Sequence, residues 1–480
     1  MNILFASSEA APFVKSGGLG DVAGSLPAEI VRISENNVCV VLPYYRSVKY
    51  GTCSDAEYVG NIFVPLAWRN VYAGVFRKTL PIKTIGNPLA KSITYYFIDN
   101  EYYFGRGNLY GEIDDVERFA FFSKAVLEAL PLTGFSPDVI HANDWQCGFI
   151  PLFLKAHYSH IPMYQKIRTV FTIHNIEYQG KADLPFLTDV LGVGEEFHNV
   201  CIFDALVNAM KTAIVLCDKL TTVSRTYAHE ITYPYYACGL SSIINENQYK
   251  LSGIVNGIDT QQYNPKKDVP YPYSKENIRN KRNCKRALQK ELGLSVRGDV
   301  PLFVMVSRLV KHKGLELLEA MRYEIMAEDI QLAVLGTGDE RFEYMLNRLS
   351  AEFPQKMCSL ITFDSALAKR LYAGGDFLLM PSAFEPCGLS QLIAMRYGTV
   401  PIVRETGGLV DTVPAFDPVT GDGHGVTFKL FNAHEMLYAI KRAEALYHDS
   451  HLMPKLRKKI MDYDVSWKNG AEKYCNLYSL

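Results

Sequence analysis

Short β-rich apolar runs, separated by helical stretches, recur along the whole chain in two sets. The first set is NILFAS, VCVVLP, ITYYFI, DVIHAN, TVFTIH and KLTTVS; the second is LFVMVS, QLAVLG, LITF, FLLMP and VPIVRE. A strand that is apolar throughout must be covered on both faces. Alternation with helices supplies that cover, which is the pattern of a parallel, doubly wound sheet. Two sets predict two such sheets, and 480 residues are too many for one hydrophobic core. The break falls near residues 250 to 300. There GIVNGIDTQQYNP gives way to the polar, basic run KENIRNKRNCKRALQKELG, which has the look of an exposed helix leading into the second sheet.

Ligands of open α/β sheets bind at the carboxyl ends of the strands. The segments that follow the strands are SSEAAPFVKSGGLGD, HANDWQ, HNIEYQG, NGID, SRLVKHKG, GTGDE, PSAFEPCGL and ETGGL. Glycine and polar side chains collect there. Charge excludes one class of partner: Lys plus Arg number 50 against 51 Asp plus Glu, without the basic footprint of a dedicated nucleic-acid binder. No stretch is apolar enough for a membrane helix, and MNILFASSEA lacks the basic n-region of a signal peptide. Ten cysteines are scattered without a C-x-x-C pair. Together these features predict a cytoplasmic, reduced protein, and His and Cys never cluster at zinc-ligand spacing.

KSGGLGDVAG, residues 15–24, poses the sharpest question. Gly18, Gly20 and Ala23 fit the G-x-G-x-x-G/A fingerprint of a dinucleotide loop. Two features of context oppose that reading. About ten residues separate the glycines from the strand, and the second strand ends in Pro43, Tyr44 and Tyr45 where an acidic residue should hold a ribose. The same glycines at a helix start near Leu19 still suit another anion, with Lys15 adding a full charge. A plain strand-to-helix turn with an exposed lysine is the alternative.

The other loops decide. KSGGLGDV, HANDW, HNIEYQG, NGID, SRLVKHKG, PSAFEPCGL and ETGGLVDTV occur in this order. Together they resemble the bacterial glycogen synthase and plant starch synthase family, glycosyltransferase family 5, over roughly Met1 to Trp467. The resemblance implies a GT-B fold, two Rossmann-like domains facing across a deep cleft. It implies an N-terminal acceptor and catalytic domain over 1–250, a nucleotide-sugar domain over 251–455, and a helical segment over 456–480 that crosses back to the N-terminal domain. The implied reaction is retaining transfer of glucose from ADP-glucose to the non-reducing end of an α-1,4-glucan, with no metal or other cofactor. The one D-x-D, Asp462 to Asp464, lies in the C-terminal tail.

Several residues carry the expected chemistry. Arg308 and Lys313 in SRLVKHKG stand where cations are disfavoured by a helix dipole, which points to an anion; fixed cations stabilise a leaving diphosphate. The resemblance makes them the phosphate-binding pair. It makes Glu385 the essential contact to the donor glucose, although a helix-start glutamate is also electrostatically content. The backbone N–H groups of Cys387, Gly388 and Leu389 follow it; Cys387 has no flanking histidine that would make it a nucleophile. A second glutamate, common in the wider GT-B class, is replaced by Ile393. The resemblance places the ring and carbonyl of His174 beside the anomeric carbon, with Asn175 following, and Asp144 near the transferred glucose. Locally, Asp144 also fits a helix N-cap. Position 146 is Gln where several relatives carry His. Lys15, Gly17, Gly18, Asp21, Asn256, Phe363, Thr406 and Gly407 complete the implied donor site. Phe363 stacks on adenine, or alternatively packs in the core; Thr406, Gly407 and Gly408 form a helix entry for the distal phosphate. Tyr110 matches a family tyrosine on the acceptor side. The expected mechanism is front-face, with closure about a hinge near 250–260 excluding water. UDP-glucose as donor, a sucrose-synthase-like transferase, and an inactive glucan-binding protein are the competing readings.

Overall fold

The computed structural model describes residues 1–82 and 91–479. The chain folds as two compact units. One comprises Met1–Asn256 together with the chain from Trp467 onward; the other is Gly257–Ser466. These limits differ from the expected 250/251 and 455/456. Strand Leu251–Gly253 hydrogen-bonds into the first sheet and carries the first unit to Asn256. Helix Leu452–Asp462 buries Met453, Leu456 and Ile460 in the core of the second unit, so only the last helix, Lys468–Ser479, belongs to the first.

In chain order the strands of the first unit are β1 (Asn2–Ala6), β2 (Asn37–Pro43), β3 (Glu57–Leu66), β4 (Arg69–Ile82), β5 (Lys91–Asp99), β6 (Val139–Asn143), β7 (Arg168–Ile173), β8 (Lys181–Ala182), β9 (Ile202–Phe203), β10 (Leu206–Asn208), β11 (Lys219–Thr222) and β12 (Leu251–Gly253). Nine of them form one sheet in the order β12-β11-β7-β6-β1-β2-β5-β4-β3, while β8, β10 and β9 form a small separate one. The large sheet is parallel from β12 to β5. It ends in an antiparallel hairpin, β3–β4, which carries no continuous apolar run and is absent from the strands expected above. The signal there is alternation instead: in β3, Val64 and Leu66 are buried and Phe63 between them is exposed. That is the pattern of a strand covered on one face only.

Helix Lys468–Ser479 packs on the first sheet through its tyrosines. The Tyr478 hydroxyl meets His141 Nδ1 at 2.7 Å, and the Tyr474 ring lies 5.2 Å from that of His141. The second unit contains β13 (Leu302–Val306), β14 (Gln331–Gly336), β15 (Met357–Ile361), β16 (Phe377–Met380), β17 (Val400–Arg404) and β18 (Val426–Phe428). They form one parallel sheet in the order β15-β14-β13-β16-β17-β18. The crossover in strand order on either side of β13 and β1 puts a topological switch point in each unit, where such sheets bind ligands.

The basic run before β13 is a helix, Arg279–Glu291, but it is not simply exposed. Lys281 and Lys285 are buried. Lys281 Nζ donates to Ala373 O and Thr399 Oγ1, and Lys285 Nζ lies 2.6 Å from Asp376, which also pairs with Arg457. Long lysine stems add apolar area to the core once their charged heads find such partners.

Candidate active site

The first unit gathers its polar residues after β1, β6 and β7. The loop after β1 is organised by a residue the sequence reading did not select. Glu9 is buried, and its carboxylate accepts from the Ser16 N–H, from Ser16 Oγ at 2.7 Å and from the Tyr110 hydroxyl at 2.6 Å. Tyr110 also meets Ser8 Oγ at 2.8 Å. The Tyr110 hydroxyl thus points inward and braces the loop. Beyond it, helix Gly18–Ile33 begins, with Gly17 at its cap. Lys15 Nζ lies 2.7 Å from Asp21 in the first turn of this helix. Burial raises the Asp21 carboxyl, and the Lys15 charge opposes that rise.

Asp144 and His174 are brought together directly. Asp144 has φ of 57°, a left-handed conformation that costs energy for a residue with a side chain. It does not cap the turn Trp145–Cys147 that follows it, so the N-cap reading is set aside. Its Oδ1 accepts instead from the backbone N–H of His174 at 2.7 Å and of Asn175 at 3.3 Å. The strained backbone turns the carboxylate across to the loop after β7. Burial pushes the Asp144 carboxyl up to about 7 despite these two donors.

His174 is fixed by Asn143, the last residue of β6. Asn143 Nδ2 donates to Ala6 O at 3.0 Å and His141 O at 3.2 Å, which leaves its Oδ1 as acceptor for His174 Nε2 at 2.9 Å. Nε2 therefore carries the proton and Nδ1 the lone pair. Burial lowers the His174 pKa to about 3, so the ring is neutral near pH 7. Two buried amide oxygens complete the picture: Gln146 Oε1 and Asn256 Oδ1 have no hydrogen-bond partner among the described residues. Gln289 Oε1 and Gln391 Oε1 in the second unit are unpaired in the same way, so this feature alone does not mark a site.

In the second unit the loops after β13, β16 and β17 converge. Lys313 Nζ lies 2.6 Å from Glu385 Oε2, and Ser382 Oγ donates to the same oxygen at 3.0 Å. Both charged side chains are largely buried, Glu385 at 6% exposure. Lys313 ends the turn Lys311–Lys313, and Gly314 follows with φ of 80°. A Cβ on Gly314 would stand 2.2 Å from Pro381 O, so only glycine lets this turn close on the end of β16. Ala383 N donates to His312 O at 2.8 Å, and the His312 ring stacks on Phe384 at 4.8 Å. Burial, then the Lys313 and Arg308 charges, lower His312 to about 4. Arg404 at the end of β17 is buried and donates to Ser382 O at 2.8 Å. It holds the Glu385 loop from below, a role no motif revealed.

The two glycine-bearing helix entries of this unit touch. Gly408 N donates to Glu385 O at 3.0 Å, and a Cβ on Gly408 would stand 2.4 Å from Cys387 Cα. Gly408, which follows Thr406 and Gly407 in this entry, therefore lies against the backbone of Cys387. Phe363, after β15, is 69% exposed, which rules out core packing and leaves its ring free to stack. Ile393 is a core residue. Asp462 is spent on Lys275, and Asp464 accepts from Ser466 N, so the D-x-D serves local structure. Among the described residues no helix is long and apolar enough to cross a membrane.

Comparison with known proteins agrees with this division of the chain. Residues 2–246 match the family model of the starch synthase catalytic domain, and residues 293–462 that of group 1 glycosyl transferases. A glycogen synthase of Bacillus cereus is 46% identical, covering 100% of this chain and 99% of the relative. One of Desulforamulus reducens is also 46% identical, covering 100% and 98%. The catalytic domain of starch synthase IV from Arabidopsis thaliana, solved bound to ADP and acarbose, superposes with a TM-score of 0.89 at 32% identity, covering 100% of this chain and 98% of the other. A sucrose-phosphate synthase from Thermosynechococcus elongatus shares the fold alone, with a TM-score of 0.62 and 16% identity. Two Rossmann-like units, their carboxyl-edge loops and full-length similarity lead to one assignment: the chain belongs to the glycogen and starch synthase family of GT-B glycosyltransferases.

Proposed function

We propose that the chain transfers glucose from ADP-glucose to the non-reducing 4-hydroxyl of an α-1,4-glucan, with retention at the anomeric carbon. The observation that carries this reading is the buried Lys313–Glu385 pair, seated where two glycine-bearing helix entries meet. A cation, a carboxylate and backbone donors in one place suit a sugar diphosphate. Arg308 and Lys313 receive the diphosphate, with the Thr406–Gly407 entry as a further donor of N–H groups. Glu385 takes hydroxyls of the donor glucose, and the N–H groups of Cys387, Gly388 and Leu389 are at hand for its oxygens. Phe363 stacks on adenine. Lys15, Gly17, Gly18 and Asn256 contribute to donor binding, with Lys15 exchanging Asp21 for phosphate.

The C1–O bond of the donor breaks, and its electron pair leaves on ADP. The acceptor 4-hydroxyl forms the new bond from the same face and gives its proton to the departing phosphate oxygen. His174, held neutral, offers Nδ1 to a glucose hydroxyl, and its carbonyl stabilises the developing positive charge at C1. Asp144 positions His174 and Asn175. Since Arg308, Lys313 and fixed dipoles answer the diphosphate charge, we assign the reaction no metal or separate cofactor. Ten cysteines, all free, fit a cytoplasmic setting.

The test is glucose incorporation into glycogen from ADP-glucose and UDP-glucose, side by side, with EDTA present. A strong preference for ADP-glucose, unaffected by EDTA, is the expected result. A preference for UDP-glucose overturns the nucleotide, and no transfer from either overturns the activity.

A further inference from the structure

Two hydrogen bonds meet on one oxygen of Glu385. Lys313 Nζ and Ser382 Oγ both donate to Oε2, at 2.6 and 3.0 Å. Oε1 is therefore the oxygen left for a sugar hydroxyl. The two donors differ in how firmly they hold. Lysine carries its charge on a flexible four-carbon stem, so the ammonium can follow a ligand. A serine hydroxyl turns about a single side-chain torsion, and Ser382 is buried at 1% exposure.

The backbone of Ser382 is clamped in turn. Arg404 Nε donates to Ser382 O at 2.8 Å, Nη2 donates to Ala383 O, and Nη1 donates to Lys429 O at 3.3 Å. The planar fork of arginine suits two successive carbonyls, and the Phe431 ring lies 5.8 Å from the same guanidinium. At the other end of the stretch 382–385, Glu385 O accepts from Gly408 N at 3.0 Å. The Ser382 hydroxyl thus projects from a backbone held at both ends. A diphosphate arriving at Lys313 competes with Glu385 for the ammonium, and it carries more charge than a carboxylate. Glu385 Oε2 then keeps the Ser382 bond alone, just when Oε1 meets the glucose.

We propose that Ser382 is a positioning residue for the transfer: it keeps Glu385 aimed at the donor glucose when Lys313 turns to the diphosphate. This rests on the roles proposed above for Lys313 and Glu385. In the ligand-free protein Lys313 covers for a missing Ser382 hydroxyl, because both donate to the same oxygen. Loss of that hydroxyl therefore shows when a nucleotide sugar is bound, and hardly at all in the resting fold.

The test compares wild type, Ser382→Ala, Glu385→Ala and the double variant. Each is measured for kcat with ADP-glucose and glycogen, for ADP affinity by calorimetry and for Tm. Ser382→Ala is expected to lower kcat by about 10-fold or more, the worth of a hydrogen bond to a charged group. Its ADP affinity should stay within about twofold of wild type, since ADP brings no glucose for Glu385 to hold. Its Tm should fall by about 4 °C at most, since Lys313 still covers the carboxylate. The double variant should be within about twofold of Glu385→Ala in kcat, because Ser382 acts only through Glu385. Wild-type kcat in Ser382→Ala overturns the proposal. So does a loss of ADP affinity and Tm that matches the loss of kcat, which would make Ser382 a structural residue of its loop. A double variant slowed by the product of the two single effects overturns it as well. Failure of the enzyme reading is a separate result: no transfer by wild type, or full kcat in Glu385→Ala.

Discussion

Lys313 Nζ stands 2.6 Å from Glu385 Oε2, joining the loop after β13 to the loop after β16. Lys313→Ala leaves the Glu385 carboxylate buried without its cation, and breaking a largely buried pair costs about 3 kcal/mol or more. Its expected effects are a lower urea midpoint and a fall in kcat of about 100-fold or more, as for loss of one preorganised electrostatic group. Glu385→Gln keeps the shape of the loop and should lower kcat comparably at a smaller cost in stability. A Lys313→Ala protein with lowered stability but wild-type kcat would show the pair to be structural.

Asp144 and His174 titrate far from their usual ranges, and in opposite senses. If Asp144 acts ionised, log kcat rises with pH through an acidic limb near 7, the value to which burial pushes its carboxyl. Asp144→Asn removes that limb and lowers the plateau. Stability has the other sign. The folded protein holds this proton more tightly than the unfolded chain, so the contribution is full below about 3.9 and is lost as pH rises through about 7.

His174, held neutral by burial with a pKa of about 3, makes the opposite contribution: present above about 6.5 and lost as pH falls through about 3. His174→Gln should flatten the acid side of a Tm-against-pH curve. Asn143→Ala removes the acceptor that orients the ring, and kcat is expected to fall about 10- to 100-fold, as for loss of a residue that positions a functional ligand.

Gly17 and Gly408 separate two uses of glycine. A Cβ on Gly17 meets nothing within 4 Å, and its φ of −159° is open to any residue. Gly17→Ala should therefore leave Tm unchanged, and a raised KM for ADP-glucose would report that the donor approaches this backbone. Gly408→Ala drives a methyl into the backbone at Cys387. It should lower Tm sharply, because two packed loops must separate.

Phe363→Ala removes an exposed ring and should leave the urea midpoint in place. Loss of a base-stacking partner is worth about 1–3 kcal/mol. KM for ADP-glucose should rise by about 5-fold or more while kcat holds; an unchanged KM removes Phe363 from the donor site.

The loops of the site were legible because each glycine, charge or strand end in them answers a local physical demand. KSGGLGDV, HANDW and PSAFEPCGL stand after apolar strands, and in a doubly wound sheet that location alone assigns each to the carboxyl edge of its own sheet. The residues that hold those loops were not legible. Glu9 braces the Lys15 loop, Asn143 fixes the His174 tautomer, and Arg404 supports the Glu385 loop, each through partners distant in sequence. The edge hairpin escaped notice because half-exposed strands alternate instead of running apolar.

The two parallel sheet cores and the family follow from the sequence by itself, since burial pattern and turn chemistry are local properties of the chain. Tertiary structure alone decided that Lys313 pairs with Glu385, that Asp144 spends its carboxylate on His174 and Asn175 instead of capping a turn, and that Phe363 faces solvent. These depend on distances between residues far apart in sequence, and on the water each group loses when the chain closes over it. Neither is a property of any one segment.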